Sequence, residues 1–143
     1  MKEIAMIFTR RDALALGLGA AAMTLIPLRA TAAADDAIAA FTGGAAMADS
    51  GVTLTAPEIA ENGNTVPIEV DAPGAEEIRI FAGGNPTPGV ASFVFGPLAA
   101  SHSASTRMRL AGTQELIAVA RMPDGSFAKA SQTVKVTIGG CGG

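Results

Sequence analysis

The chain has 143 residues, a formal net charge of −3, and a single cysteine and a single histidine. An acidic balance offers no surface for neutralising phosphates, which argues against nucleic-acid binding, and one Cys with one His falls short of the roughly four ligands of a tetrahedral zinc site. With aromatics at 4% and neither Trp nor Tyr, the core of one domain of ordinary size must be Val, Ile, Leu, Ala and Phe.

Residues 1–34 read as a removable leader. Lys2, Arg10 and Arg11 make a basic start and Ala13 to Leu28 is apolar. Ala30-Thr31-Ala32 and Ala32-Ala33-Ala34 both fit the small-x-small cleavage rule, so cleavage is expected between Ala32 and Asp35. The apolar run is shorter than the roughly 18–20 uninterrupted residues of a membrane span and holds Gly17, Gly19 and Pro27. No span is therefore expected in the mature form. Arg10-Arg11 before a Gly/Ala-rich stretch predicts twin-arginine export to the periplasm, although Ala13 and Ala15 stand where a bulky apolar residue and a lysine are commoner.

Residues 35–138 form the expected domain. Asp35 to Ala48 reads as a short helix capped by Asp35 or Asp36, with Ile38, Phe41 and Met47 at near-helical spacing, a weak middle at Gly43-Gly44, and an end at Gly51. From Val52 the period becomes strand-like. Val52 to Thr55 alternates, and Pro57 closes it. Glu61-Asn62-Gly63-Asn64 carries the Asn-Gly hairpin signal. Val66, Ile68 and Val70 then alternate with Pro67, Glu69 and Asp71 as a half-buried strand. After Pro73-Gly74, Glu76-Glu77 reads as plain turn charge and Ile78 to Phe81 as a strand, followed by the loop Gly83 to Gly89.

Ala91–Phe95 and Leu116–Ala120 are apolar on both faces, whereas a two-sheet sandwich normally gives one face to water. The N-terminal helix or loops cover them, or a partner chain does, and both can hold, one per strand. Between them, Thr106, Met108 and Leu110 fall on one face and Arg107 and Arg109 on the other. Pro123-Asp124-Gly125 turns the chain into a strand resuming at Phe127, and Val134, Val136 and Ile138 alternate with Thr133, Lys135 and Thr137. About seven short strands with Gly/Pro turns predict an all-β fold. It is an immunoglobulin-like antiparallel β-sandwich with a short N-terminal helix, lacking the cysteine pair and Trp of antibody domains.

Residues 139–143, Gly139-Gly140-Cys141-Gly142-Gly143, read as a flexible arm that presents the sulfur. With Ile138 as the last strand residue, Cys141 reaches about 10 Å from its anchor at roughly 3.3–3.6 Å per residue. In an oxidising compartment a lone cysteine is either reactive or paired between molecules. His102 as a base for Cys141 is disfavoured, because a base fixed on the body cannot follow a sulfur on a moving arm. Arg107 and Arg109 read as a solvated stripe, with contact to an acidic partner as the rival. The Gly43-Gly44 and Gly83-Gly84 pairs lack the Lys-Ser/Thr of a phosphate loop. A free thiol has a pKa near 8.5 and the nearest base in sequence is Lys135, so activation is expected from proteins that receive the arm. No cofactor or metal is expected. This is the logic of a carrier, not an enzyme.

The terminal Gly139-Gly140-Cys141-Gly142-Gly143, the twin-arginine leader, and Leu54 to Gly63 followed by Val66-Pro67 resemble SoxY, the sulfur-carrier subunit of the Sox sulfur-oxidation system. The resemblance spans essentially the whole mature chain. It implies a periplasmic carrier whose Cys141 holds thiosulfate-derived intermediates covalently, in a heterodimer with SoxZ, a second small β-sandwich protein. It also implies transient docking to a c-type cytochrome that couples thiosulfate to the cysteine, a hydrolase that releases sulfate, and a sulfur dehydrogenase. Two rivals remain: a thiocarboxylate carrier using a terminal Gly-Gly, disfavoured because the envelope has no ATP for activation, and a structural module whose cysteine makes an intermolecular disulfide.

Overall fold

A computed structural model describes residues 28–139; the expected leader through residue 27, and Gly140 to Gly143, lie outside the described residues. Among the described residues one helix, α1 (Leu28–Thr42), precedes β1 (Met47–Ala48), β2 (Thr53–Thr55), β3 (Ile59–Ala60), β4 (Val66–Asp71), β5 (Glu77–Ala82), β6 (Gly89–Val94), β7 (Ser103–Met108), β8 (Gln114–Arg121) and β9 (Phe127–Val136). The larger sheet has the order β1-β9-β8-β5-β6, and the smaller β2-β4-β7. Two sheets with one short helix make the all-β immunoglobulin-like sandwich that the strand spacing predicts. No helix among the described residues is long and apolar enough to cross a membrane.

Period-two alternation builds the core. Val66, Ile68 and Val70 of the smaller sheet, with Met108 and Leu110, face Ile78, Ile80, Leu116, Ala118, Ala120 and Val134 of the larger. The β5–β8 register sets Ile78 against Ala120 and Ile80 against Ala118, so one face of each strand enters the core together.

The outer face of the larger sheet is the second apolar face seen in Leu116–Ala120, and α1 covers it. Ile38 packs with Phe81 and Val119, joined by Phe41, Met47, Ile117 and Phe127. The Phe41 ring meets Phe127 edge-on at 5.5 Å between centroids and lies beneath the Arg79 guanidinium at 4.2 Å. Cleavage at Ala32 to Asp35 would leave these docking residues on the product. The expected helix over 35–48 is corrected at both ends. It starts earlier, at Leu28, and stops at Thr42, because Gly43 and Gly44 take φ of 65° and 79° and Gly44 N–H donates back to the Ala39 carbonyl at 3.2 Å. Met47 is therefore a strand residue, paired in parallel with Phe127.

Glu77, expected to be turn charge, is instead a buried ion-pair centre, 4% exposed. Its Oε1 accepts from Arg79 Nε at 2.7 Å and Ser92 Oγ at 2.8 Å, and its Oε2 faces Arg121 Nη2 at 3.0 Å. Burial alone would raise its pKa. The Arg79 and Ser92 hydrogen bonds, with the charges of Arg79 and Arg121, outweigh that and hold it below the ordinary carboxylate value. A depressed folded-state pKa stabilises above the unfolded value and is lost as pH falls through the folded one. Melting temperature should therefore drop as pH falls below the ordinary glutamate value, and less steeply in Glu77→Gln. Parallel acid limbs in a pH series of melts would mean that Glu77 contributes nothing to acid sensitivity.

Candidate functional site

Of the arm residues singled out in the sequence, Gly139 is described, whereas Gly140, Cys141, Gly142 and Gly143 lie outside the described residues. The candidate site is thus built from its root, where β9 gives way to Gly139.

β9 lies between β8 on one side and two short parallel partners, β1 and β3, on the other. Between those partners the backbone pairing lapses and Gln132 bridges it, its Nε2 donating to the Ala56 carbonyl at 2.6 Å and its Oε1 accepting from Ala56 N–H at 3.2 Å. The ladder with β3 then continues past the strand's end. Thr137 N–H donates to the Ala60 carbonyl at 3.0 Å and Thr137 Oγ1 to the Glu61 carbonyl at 2.9 Å. The Ile138 carbonyl accepts from Gly63 N–H at 2.7 Å. The expected end of the strand at Ile138 is corrected to Val136; Ile138 is 66% exposed and held by its backbone alone.

Gly63 also corrects the expected hairpin. β3 and β4 do not pair, since β3 lies on β9 and β4 in the other sheet. Asn62-Gly63 is a crossing between layers, with Asn64 N–H bonded to Asn62 Oδ1 at 2.9 Å. Gly63 N–H holds Ile138 while its carbonyl accepts from Leu110 N–H at 2.8 Å. One residue therefore ties the root of the arm to the segment after β7.

That segment, residues 109–113, is fixed by two side chains. Asn85 Nδ2 donates to the Arg109 carbonyl at 2.8 Å, and Asn85 Oδ1 accepts from Ala111 N–H and Gln114 Nε2, each at 2.9 Å. Gln114, buried, also donates to the Gly112 carbonyl at 3.1 Å and accepts from Gly84 N–H at 2.8 Å. Thr113 Oγ1 accepts from Val136 N–H at 3.0 Å. The Ala111 carbonyl of this segment lies against Gly139, and a Cβ added at Gly139 would overlap it.

Other residues weighed in the sequence lie elsewhere. His102 is at the start of β7, its Nδ1 2.7 Å from the Ala75 carbonyl and its ring 5.3 Å from Phe95. The extended chain through β7 spans about 26 Å, at ~3.3 Å per residue, from His102 to Leu110. Cys141 follows Gly139 by two residues, a reach of about 7 Å, so His102 is beyond it. Arg107 and Arg109 are exposed on the outer side of β7, as their alternation predicts. Among the described residues no group of three or more His, Cys, Asp or Glu side chains can hold a metal ion. Sequence reasoning missed Gly63, Asn85 and Gln114. Only the polarity of Gln114 at an inward-facing strand position hinted at a buried network.

The family model described as "Sulfur oxidation protein SoxY" matches residues 38–141. The solved structure of the sulfur carrier protein SoxY from Chlorobium limicola f thiosulfatophilum is 43% identical, covers 75% of this chain and 98% of its own, and superposes with a TM-score of 0.65. A variant of the superoxide reductase (neelaredoxin) from Ignicoccus hospitalis, at 18% identity, 62% and 82% coverage and a TM-score of 0.55, shares the fold alone. So does the hypothetical protein PH1083 from Pyrococcus horikoshii OT3, at 11% identity, 66% and 99% coverage and a TM-score of 0.51. A search of curated proteins finds no match.

Proposed function

The chain belongs to the SoxY family, and from that membership we propose that it is a periplasmic sulfur carrier whose Cys141 holds thiosulfate-derived intermediates covalently. The carrying observation is the span of the family match, which ends on Cys141. The cysteine thiolate and thiosulfate join through a new S–S bond, and the two electrons released pass to a c-type cytochrome. Water then cleaves the terminal S–SO3 bond, releasing sulfate and two protons and leaving a persulfide on Cys141. A sulfur dehydrogenase oxidises that sulfane sulfur further. The chain supplies the attachment atom and its delivery, and catalysis resides in the partners. A SoxZ-type β-sandwich subunit completes the heterodimer, and residues 1–34 direct export by the twin-arginine route and are then removed.

Intact-mass and peptide analysis of the protein from cells fed thiosulfate tests this reading. The expected result is a reductant-labile sulfur or thiosulfonate adduct on the peptide holding Cys141. Mass added instead at Gly143 would mark a thiocarboxylate carrier. A stable covalent homodimer as the sole species on a non-reducing gel would mark a structural disulfide.

A further inference from the structure

The expected arm swings from Ile138 with three free glycine-flanked steps, but the geometry around Gly139 does not fit a free start. The Ile138 carbonyl is gripped by Gly63 N–H at 2.7 Å. The next residue lies so close to the Ala111 carbonyl that no side chain fits between them. That carbonyl cannot give way cheaply, because Asn85 Oδ1 holds Ala111 N–H at 2.9 Å and Asn85 Nδ2 holds the preceding Arg109 carbonyl at 2.8 Å. Gln114 Nε2 locks the Asn85 amide in turn, also at 2.9 Å.

Resting on the carrier reading, we propose that Gly139 is a positioning residue. It seats the arm on the Ala111 carbonyl, with Asn85 and Gly63 as the fixed side of that seat, so the thiol leaves the domain at one place and in one direction. Glycine is required here for close approach. The leash is accordingly shorter than the sequence implies, with Cys141 within about 7 Å of Gly139 instead of about 10 Å of Ile138. A catalytic geometry displaced by about 1 Å loses on the order of a hundredfold in rate, so a seat that fixes the exit point bears directly on turnover.

Three readouts on wild type, Gly139→Ala, Asn85→Ala and Asn85→Asp test this. Hydrogen exchange of the Gly63 amide reports the grip on Ile138. Reaction with a small aromatic disulfide reports the thiol itself, and thiosulfate loading by the c-type cytochrome partner reports delivery. In Gly139→Ala the Gly63 amide should exchange at least about tenfold faster, and kcat for partner loading should fall by a similar factor. Asn85→Ala should do the same, whereas Asn85→Asp, which keeps the acceptor for Ala111 and Gln114, should recover most of the loading rate. Unchanged Gly63 exchange in Gly139→Ala overturns the seat, and so do equal losses in reagent and partner reactions. Should Asn85→Ala fail to fold, Gly139→Ala alone decides. A wild-type protein that never takes a sulfur adduct would sink the carrier reading instead, while the Gly63 exchange would still decide the seat.

Discussion

Replacing Cys141 with serine is expected to abolish sulfur carriage and to leave the domain's stability within about 0.5 kcal/mol of wild type. The proposed chemistry demands a thiolate, because in that reading the cargo is held through a sulfur–sulfur bond. A serine hydroxyl does not ionise near neutral pH and forms no such bond. Stability is spared because Cys141 has only glycine as near neighbours in sequence. The last buried hydrophobic among the described residues, Val134, lies seven positions earlier. Intact mass after thiosulfate exposure and a denaturant midpoint at constant slope give the two measurements. A Cys141→Ser protein that still carried sulfur would remove the attachment site. A midpoint loss of more than about 1 kcal/mol would place the cysteine inside a packed environment and overturn the arm.

The fold was legible wherever one residue type had one reason to alternate. Val66, Ile68 and Val70 stand on a strand whose other face is solvent, and they enter the core as their period says. Leu116 to Ala120 showed two apolar faces, and the structure supplies both covers, the smaller sheet on one side and α1 on the other. The errors share a cause. Asn62-Gly63 is a strong local turn signal, but which strands flank a turn is decided by long-range pairing, and β3 finds β9 from a distance of about 75 residues in sequence. Ile138 continued an alternation that the backbone had already left, since its carbonyl had a better partner in Gly63. Glu77 beside Glu76 resembles surface charge until the register puts Arg121 opposite it and Arg79 two residues on.

For the candidate site, the sequence raised an expectation about chemistry and gave no sign of the mounting. A lone cysteine among glycines raises the expectation of a thiol to be presented, because composition limits what else it can do. Asn85 announced nothing. In the sequence it is one polar residue of a loop with Gly83-Gly84 and Pro86, and its partners come from residues 24 to 29 positions later. Side-chain to backbone bonds of that span have no periodicity to betray them, so a mounting built from them emerges only when the layers are assembled.

The largest stability loss near the site is expected at Leu110→Ala. Leu110 is fully buried in the main core while its backbone N–H bonds the Gly63 carbonyl, so it connects the hydrophobic interior to the root of the arm. Truncation removes apolar contacts and leaves a cavity bordered by strands that cannot collapse onto it, at a cost of about 2–5 kcal/mol. Its neighbour Arg109 faces water, and only its carbonyl is used, by Asn85. Arg109→Ala should thus cost less than about 0.5 kcal/mol. Guanidinium unfolding of the two variants at a common slope measures the difference. Equal losses would mean that the alternation set by β7 does not persist to Leu110, and the inward face assigned to the end of that segment would be wrong. A large loss at Leu110 alone would show that the scaffold under Gly63 and Ala111 is anchored by the same core that holds the sandwich together.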